Sequence, residues 1–292
     1  MSVVINTNVD SLKVQSTLTN ATNSLSQSMQ RMSSGLKINS AKDDAAGTVI
    51  SARMQVQLDG NKICQNNVQN ANAMMSTAEG NIDVVLDNMT RIRDLTLQAK
   101  NGTYSSTEIE AMQKEVKERI AEIDRVSASS KFSQLSLFED ATMQEHGVTF
   151  QIGQNADEGE KTDNIITANK DIFGSVKFSA LTTQTGAFNL VSIKAGSGSY
   201  ANFNTALTKL DTAIDNLTKR KSLIGSAQNR LDSALDTLTT QYTNLSSANS
   251  IITDADIASE ASSFTQNQIL QQVSTSLLAQ ANQSPSIALS LI

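Results

Sequence analysis

A chain of 292 residues, 39% hydrophobic and 18% charged, has room for about two ordinary domains and too much apolar content for charge-driven disorder. With one proline, no tryptophan and 4% aromatic residues, it lacks the punctuation of short strands and the bulky fillers of a compact core, which favours long helices. A net charge of -6 argues against non-specific binding to nucleic acid or to an anionic membrane, because both require clustered cations.

The first forty residues carry Leu25, Met29, Met32 and Leu36 at helical spacing, opposite a face of Ser, Thr, Asn and Gln. The second predicted helix starts near Ser40-Ala-Lys-Asp43, where serine caps and Asp43 and Asp44 suit the positive helix end, and stops at the Asn101-Gly102 turn. Its seam reads Val68, Ala71, Met75, Ala78, Ile82, Val85, Met89 and Ile92. It extends back through Cys64 to Met54 and Ile50, with polar Asn61 and Gln57 between. A mean spacing of 3.5 residues is what a coiled coil requires, and about sixty residues of helix would make a rod about 90 Å long.

A third predicted helix opens with the capping box Ser105-Ser-Thr-Glu108 and places Ile109, Met112, Val116, Ile120 and Ile123 on one face. Residues 132–202 are rich in Gly, Thr, Asn and Ser, and there Val148, Phe150 and Ile152 alternate with Thr149 and Gln151 as a half-buried strand does. The segment Lys194 to Tyr200 reads as a loop. A long helix follows, with the seam Phe203, Leu207, Leu210, Ile214, Leu217, Lys221, Ile224, Gln228, Leu231, Leu235, Leu238, Tyr242, Leu245, Asn249 and Ile252. Gly225 lowers helix propensity there by about 1 kcal/mol without breaking a helix of this length. The last forty residues, with Phe264, Leu270, Val273, Leu277 and Ala281, are again sparsely apolar and end in Pro285 and the tail Ile287, Leu289, Leu291 and Ile292.

Little here suggests catalysis. A single cysteine, Cys64, excludes an intrachain disulfide and a multi-cysteine metal site, and a single histidine, His146, excludes a paired-histidine zinc motif. No cofactor, metal or catalytic residue is expected. Lys219, Arg220 and Lys221 read as a solvated stretch of helix. No run approaches the 18 apolar residues of a membrane span. The start, Met1-Ser-Val-Val-Ile-Asn-Thr-Asn, has neither the basic nor the apolar region of a cleaved secretory signal, so any export is expected to use another route.

Both ends resemble bacterial flagellins. The N-terminal resemblance rests on Ile5-Asn-Thr-Asn8, Arg31-Met-Ser-Ser-Gly-Leu36, Asp43-Asp-Ala-Ala-Gly47, Thr77-Ala-Glu-Gly80, Arg91-Ile-Arg-Asp-Leu95, Glu122-Ile-Asp-Arg125 and Thr149-Phe-Gln-Ile-Gly153. At the other end it rests on Asp254-Ala-Asp256, Gln268-Ile-Leu-Gln-Gln272 and Leu277-Leu-Ala-Gln-Ala-Asn-Gln283.

The resemblance implies a mainly α fold, a long antiparallel helical coiled-coil rod with paired termini and a small β-hairpin region, in a short flagellin without large outer domains. The divisions it implies are a filament-core helix at 1–40, the first part of a helical spoke at 41–131, the hairpin and a reduced variable insert at 132–202, the returning spoke helix at 203–252, and a second core helix with its tail at 253–292. It further implies a secreted structural subunit that polymerises into the swimming filament. The alternatives are a hook-filament junction protein and, from another class, a cytosolic coiled-coil scaffold. The expected partners are further copies of the chain, a flagellin chaperone, the export apparatus, and cap and hook-junction proteins. Toll-like receptor 5 is a candidate partner, with Arg91, Asp94, Leu95 and Glu115 as the matching contact positions and Asp94 and Thr90 shorter than the usual residues; Arg91 and Leu95 could instead merely flank the core. Leu277, Leu278, Leu289, Leu291 and Ile292 are the candidate chaperone and assembly tail. Terminal helices this polar are expected to be unstable alone.

Overall fold

The computed structural model describes residues 8–154, 164–182, 188–195 and 199–289. The chain divides into two compact units, Met1–Asp59 with Tyr242–Ile292, and Gly60–Gln241.

The first unit contains α1 (Val9–Ser34) and α8 (Ile257–Leu289), with the start of α2 (Ala45–Lys100) and the end of α7 (Ser199–Thr253). Asn8 caps α1 by accepting from the Ser11 N–H at 3.0 Å. Gly35 ends it with φ +73°, a left-handed cap in which glycine avoids a Cβ penalty. The loop after it is held by Asp43, whose carboxylate accepts from the backbone N–H groups of Asn39 and Ser40. The Ser40 hydroxyl, followed by those backbone donors, holds the Asp43 carboxyl below the usual carboxylate range. The second helix therefore starts at Ala45, with Asp44 accepting from the Gly47 N–H at 2.9 Å. The helices α1 and α8 pair antiparallel, as shown by Asn8 donating to Ala281, Gln271 to Thr22, and Arg31 lying 3.9 Å from Glu260.

The second unit holds the main core. Across it α2 and α7 run antiparallel, joined by Asn72 to Asp232 at 2.7 Å, Lys221 to Asp83 at 2.8 Å, Lys100 to Asn204 at 2.6 Å, and Arg93 to Asp211. On α2 the expected seam is buried at Val68, Met75, Ile82, Val85, Met89 and Ile92. On α7, Leu210, Leu217, Leu231 and Leu238 are buried, whereas Ile214, Leu235 and Leu245 are only half-buried. The intervening buried positions are Ala206, Ala213 and Ala227 rather than Leu207, Ile214 and Gln228. Small alanines fill these covered positions, and the larger Ile214 and Leu235 stay partly exposed beside them. Upstream, Leu58 is buried where Gln57 was expected, and Ile50 is exposed. The helix α7 continues through Gly225.

The third helix α3 (Ser106–Ser129) starts with the complete Ser105/Glu108 capping box and buries Ile109, Val116, Ile123 and Val126. Two small hairpins follow. The pair β1 (Lys131–Phe132) and β2 (Leu135–Ser136) turns at Ser133, whose φ is +58°. The pair β3 (Val148–Gln151) and β4 (Ile165–Ala168) aligns Val148 with Ala168 and Gln151 with Ile165, and β3 alternates as expected. The rest of 132–202 is more structured than a hairpin with loops: α4 (Ala141–His146), a 3-10 turn (Lys170–Phe173), α5 (Phe178–Thr182) and α6 (Leu190–Ala195). Phe138, Phe173, Phe178 and Phe188 are buried there, as is Phe203 at the start of α7, and Phe178 meets Phe188 edge-on at 5.6 Å. Arg220, read from sequence as a solvated residue, is instead half-buried. It donates to the Gly174 carbonyl at 2.6 Å, and burial lowers its guanidinium pKa.

Candidate assembly and recognition surfaces

The terminal pair has an inverted pattern. On α8 the residues turned toward α1 include Ser263, Asn267, Gln271 and Ser274, and only Phe264, Leu278 and Ala281 add partly covered apolar surface. Leu270, Val273 and Leu277, expected on the seam, lie outside it with Ile269, between 41% and 55% exposed. On α1 the fully buried residues are Ala21 and Ser28, while Met29 is exposed. Small polar side chains let the helices approach but contribute little hydrophobic stabilisation. The larger apolar area is left facing outward. A groove of about 560 Å³ on α8, lined by Ala261, Thr265, Gln266, Ile269 and Leu270, belongs to that face. The helix α8 passes Pro285 and ends at Leu289, while Leu291 and Ile292 lie outside the described residues.

The candidate receptor positions lie in the second unit, on α2 and α3. Arg91 donates from Nε to Glu115 Oε1 at 2.7 Å and from Nη2 to Oε2 at 3.2 Å, a two-pronged pair. Arg119 lies 3.8 Å from the same carboxylate and donates to Asn88 Oδ1 at 3.1 Å. The hydrogen bond from Arg91 holds the Glu115 carboxyl below its usual range, and the same bond raises the Arg91 guanidinium. Asp94 is exposed. Leu95 is only 2% exposed, so of the two candidate contact positions it is Leu95 that sits in the core, while Arg91 stays accessible. Four residues advance a helix by about 40° beyond a full turn, enough to carry position 95 over the boundary into the core. The Thr90 hydroxyl donates back to the Leu86 carbonyl at 2.9 Å and is turned along its own helix.

The residues singled out for chemistry are placed apart. Cys64 is buried on the seam, where desolvation raises its thiol pKa, and His146 is exposed at the end of α4. A groove of about 980 Å³ between α7 and the second hairpin is lined by Ser222, Ser226, Asn229, Arg230, Ile152 and Ile165, which supply no acid–base pair. Among the described residues, no three His, Cys, Asp or Glu side chains are grouped to hold a metal ion, and no helix is long and apolar enough to cross a membrane. The outward direction of the α8 apolar residues and the alanine phase of α7 were not found from sequence; the helical spacing of 263, 267, 271 and 274 was the available signal.

Comparison with known proteins gives matches at both ends. Residues 5–142 match the bacterial flagellin N-terminal helical region and residues 207–292 the bacterial flagellin C-terminal helical region. A flagellin of Xenorhabdus nematophila is 36% identical over 318 aligned positions, covering 100% of both chains. A flagellar filament 33 kDa core protein of Treponema phagedenis is 33% identical, covering 99% of this chain and 100% of its own. Among solved structures, a putative flagellar hook-associated protein from Vibrio parahaemolyticus aligns with a TM-score of 0.58 at 14% identity, over 72% of this chain and 99% of that one, a likeness of fold alone.

Proposed function

The chain belongs to the bacterial flagellin family, and from that premise we propose that the outward apolar face of its terminal helices is the surface on which copies polymerise. Flagellins are structural proteins, and this chain is a structural subunit of the extracellular flagellar filament. The observation that supports the finer reading is the direction of Ile269, Leu270, Val273 and Leu277, apolar residues turned away from the polar side of α8. An apolar face of this kind on an exported chain calls for a covering partner. Heterologous contacts that do not close generate a growing helix, so a second copy suits it. Ile269→Asp with Val273→Asp should leave the unfolding of the 60–241 unit unchanged and stop elongation of filament seeds under negative-stain microscopy. Normal filaments from that variant would reject the surface.

Before export the same logic extends to the tail. A chaperone that covers Leu277, Leu278, Leu289, Leu291 and Ile292 would prevent early association, and cap and hook-junction proteins would meet the terminal helices afterwards. Leu289→Asp with Leu291→Asp should abolish chaperone capture in a pull-down; retained capture would refute the assignment. The domain divisions after residues 40, 131, 202 and 252 belong to this same reading.

For Toll-like receptor 5, the accessible candidates are Arg91, Asp94 and Glu115, and Leu95 acts from beneath by supporting α2. A receptor would have to read or replace the Arg91–Glu115 pair. Weakened activation by monomer is expected, rising for Asp94→Glu and falling for Arg91→Ala in reporter cells. Equal responses from all three proteins would remove the patch.

A further inference from the structure

The α2–α3 turn carries the one Asn-Gly step in the chain, Asn101-Gly102, and we propose that Asn101 is a site of spontaneous deamidation, a modification that ages the protein outside the cell. The reaction needs the backbone nitrogen of the following residue to reach the side-chain amide carbon. Glycine there leaves the approach unhindered. Asn101, Gly102 and Thr103 are exposed and lie beyond the last residue of α2, Lys100. The Asn101 N–H is tied to the Gln98 carbonyl at 3.0 Å, which anchors the residue, whereas the Gly102 N–H makes no hydrogen bond among the described residues. The Thr103 N–H points to Asn101 Oδ1 at 3.4 Å, which polarises the amide carbonyl toward attack.

Other asparagines lack one of these conditions. Asn39 is followed by Ser40, an otherwise suitable neighbour, but the Ser40 N–H is donated to Asp43 Oδ2 at 3.0 Å and the Asn39 amide to the Leu36 carbonyl at 3.2 Å. Asn72, Asn81 and Asn88 lie within α2, where the next nitrogen is held in the helix.

At Asn101 the Gly102 nitrogen, having lost its proton to hydroxide, bonds to the side-chain carbon, and the bond to the amide nitrogen breaks with release of ammonia. Water then opens the cyclic imide at either carbonyl, giving aspartate or isoaspartate. The net change is uptake of one water and loss of one ammonia. The product carboxylate sits at the C-terminal end of α2, the negative end of its dipole, beside Lys100, which otherwise donates to Asn204. The isoaspartate form also adds a methylene to the backbone of the turn.

The full-length chain, incubated in buffer from neutral to mildly alkaline pH, is digested and read by peptide mass spectrometry with fragmentation that separates aspartate from isoaspartate. Conversion at Asn101 should lead every other asparagine, rise with pH, and slow by about tenfold in Gly102→Ala, where the added Cβ restricts the backbone. An Asn101→Asp chain, which starts with the carboxylate in place, should unfold at lower temperature than the parent. Asn39 converting as fast as Asn101, or a Gly102→Ala chain converting at the parental rate, would overturn the proposal.

Discussion

The two units use similar long helices in opposite ways. In the 60–241 unit the large apolar side chains of α2, α3 and α7 face one another and disappear from solvent. In the terminal unit, α1 and α8 meet through small and polar side chains, and apolar residues face outward. The first pattern suits a body that folds on its own contacts, and the second suits a surface whose apolar burial comes from another molecule. Helix content therefore says little about where stability resides; the direction of the apolar side chains decides it.

The sharpest way to break this contrast is to truncate matched residues. Ile82→Ala in the fully buried seam should cost about 2–5 kcal/mol through lost burial and the cavity left behind. Ile269→Ala on the exposed face of α8 should change monomer stability by no more than about 0.5 kcal/mol. Urea unfolding followed by circular dichroism compares them, and similar losses would mean that α8 is packed in the monomer.

Glycines give a second comparison. Gly147 and Gly35 both have positive φ, at +76° and +73°. A Cβ at Gly147 would collide with the Ala168 carbonyl oxygen of β4, whereas one at Gly35 would meet nothing within 4 Å. Gly35→Ala should cost only the left-handed backbone penalty, about 1–2 kcal/mol, and Gly147→Ala more than that because a strand must also move. Thermal unfolding of the two variants tests the order.

The smallest effect concerns acid. Glu115 is held below its usual carboxylate range by Arg91, so the pair stabilises the fold above that range and loses its contribution as pH falls through the lowered value. Glu115→Gln should make the acid limb of the stability profile shallower and leave Glu122, held low by the Arg125 hydrogen bond, and Asp43, held low by the Ser40 hydroxyl, to shape what remains. An unchanged acid limb would show that the ion pair is idle in solution.

Much was legible in the sequence alone. The α2 seam, the α3 capping box, the β3 alternation and the α1 and α8 helices follow from short-range spacing and local hydrogen bonding, which a sequence records directly. The burial of 132–202 was less legible because its Gly, Thr, Asn and Ser content suggested loops. The signal that it held a core was aromatic: seven of the eight phenylalanines fall between Phe132 and Phe203. Five of them, Phe138, Phe173, Phe178, Phe188 and Phe203, are buried in one core together with residues of α2, α3 and α7, a long-range grouping that local patterning does not express.

By itself, the sequence determined which residues share a face: Val68 with Met75 and Ile82, or Leu270 with Val273 and Leu277. What each face meets was decided only by tertiary structure. Packing buried Ala206, Ala213 and Ala227 on α7 and left Ile214 and Leu235 half-exposed. It carried Leu95 inward and Arg91 outward from one stretch of α2, and turned the apolar side of α8 away from α1. The physical reason is that periodicity is a property of one helix, whereas burial is a property of two surfaces and the volume between them.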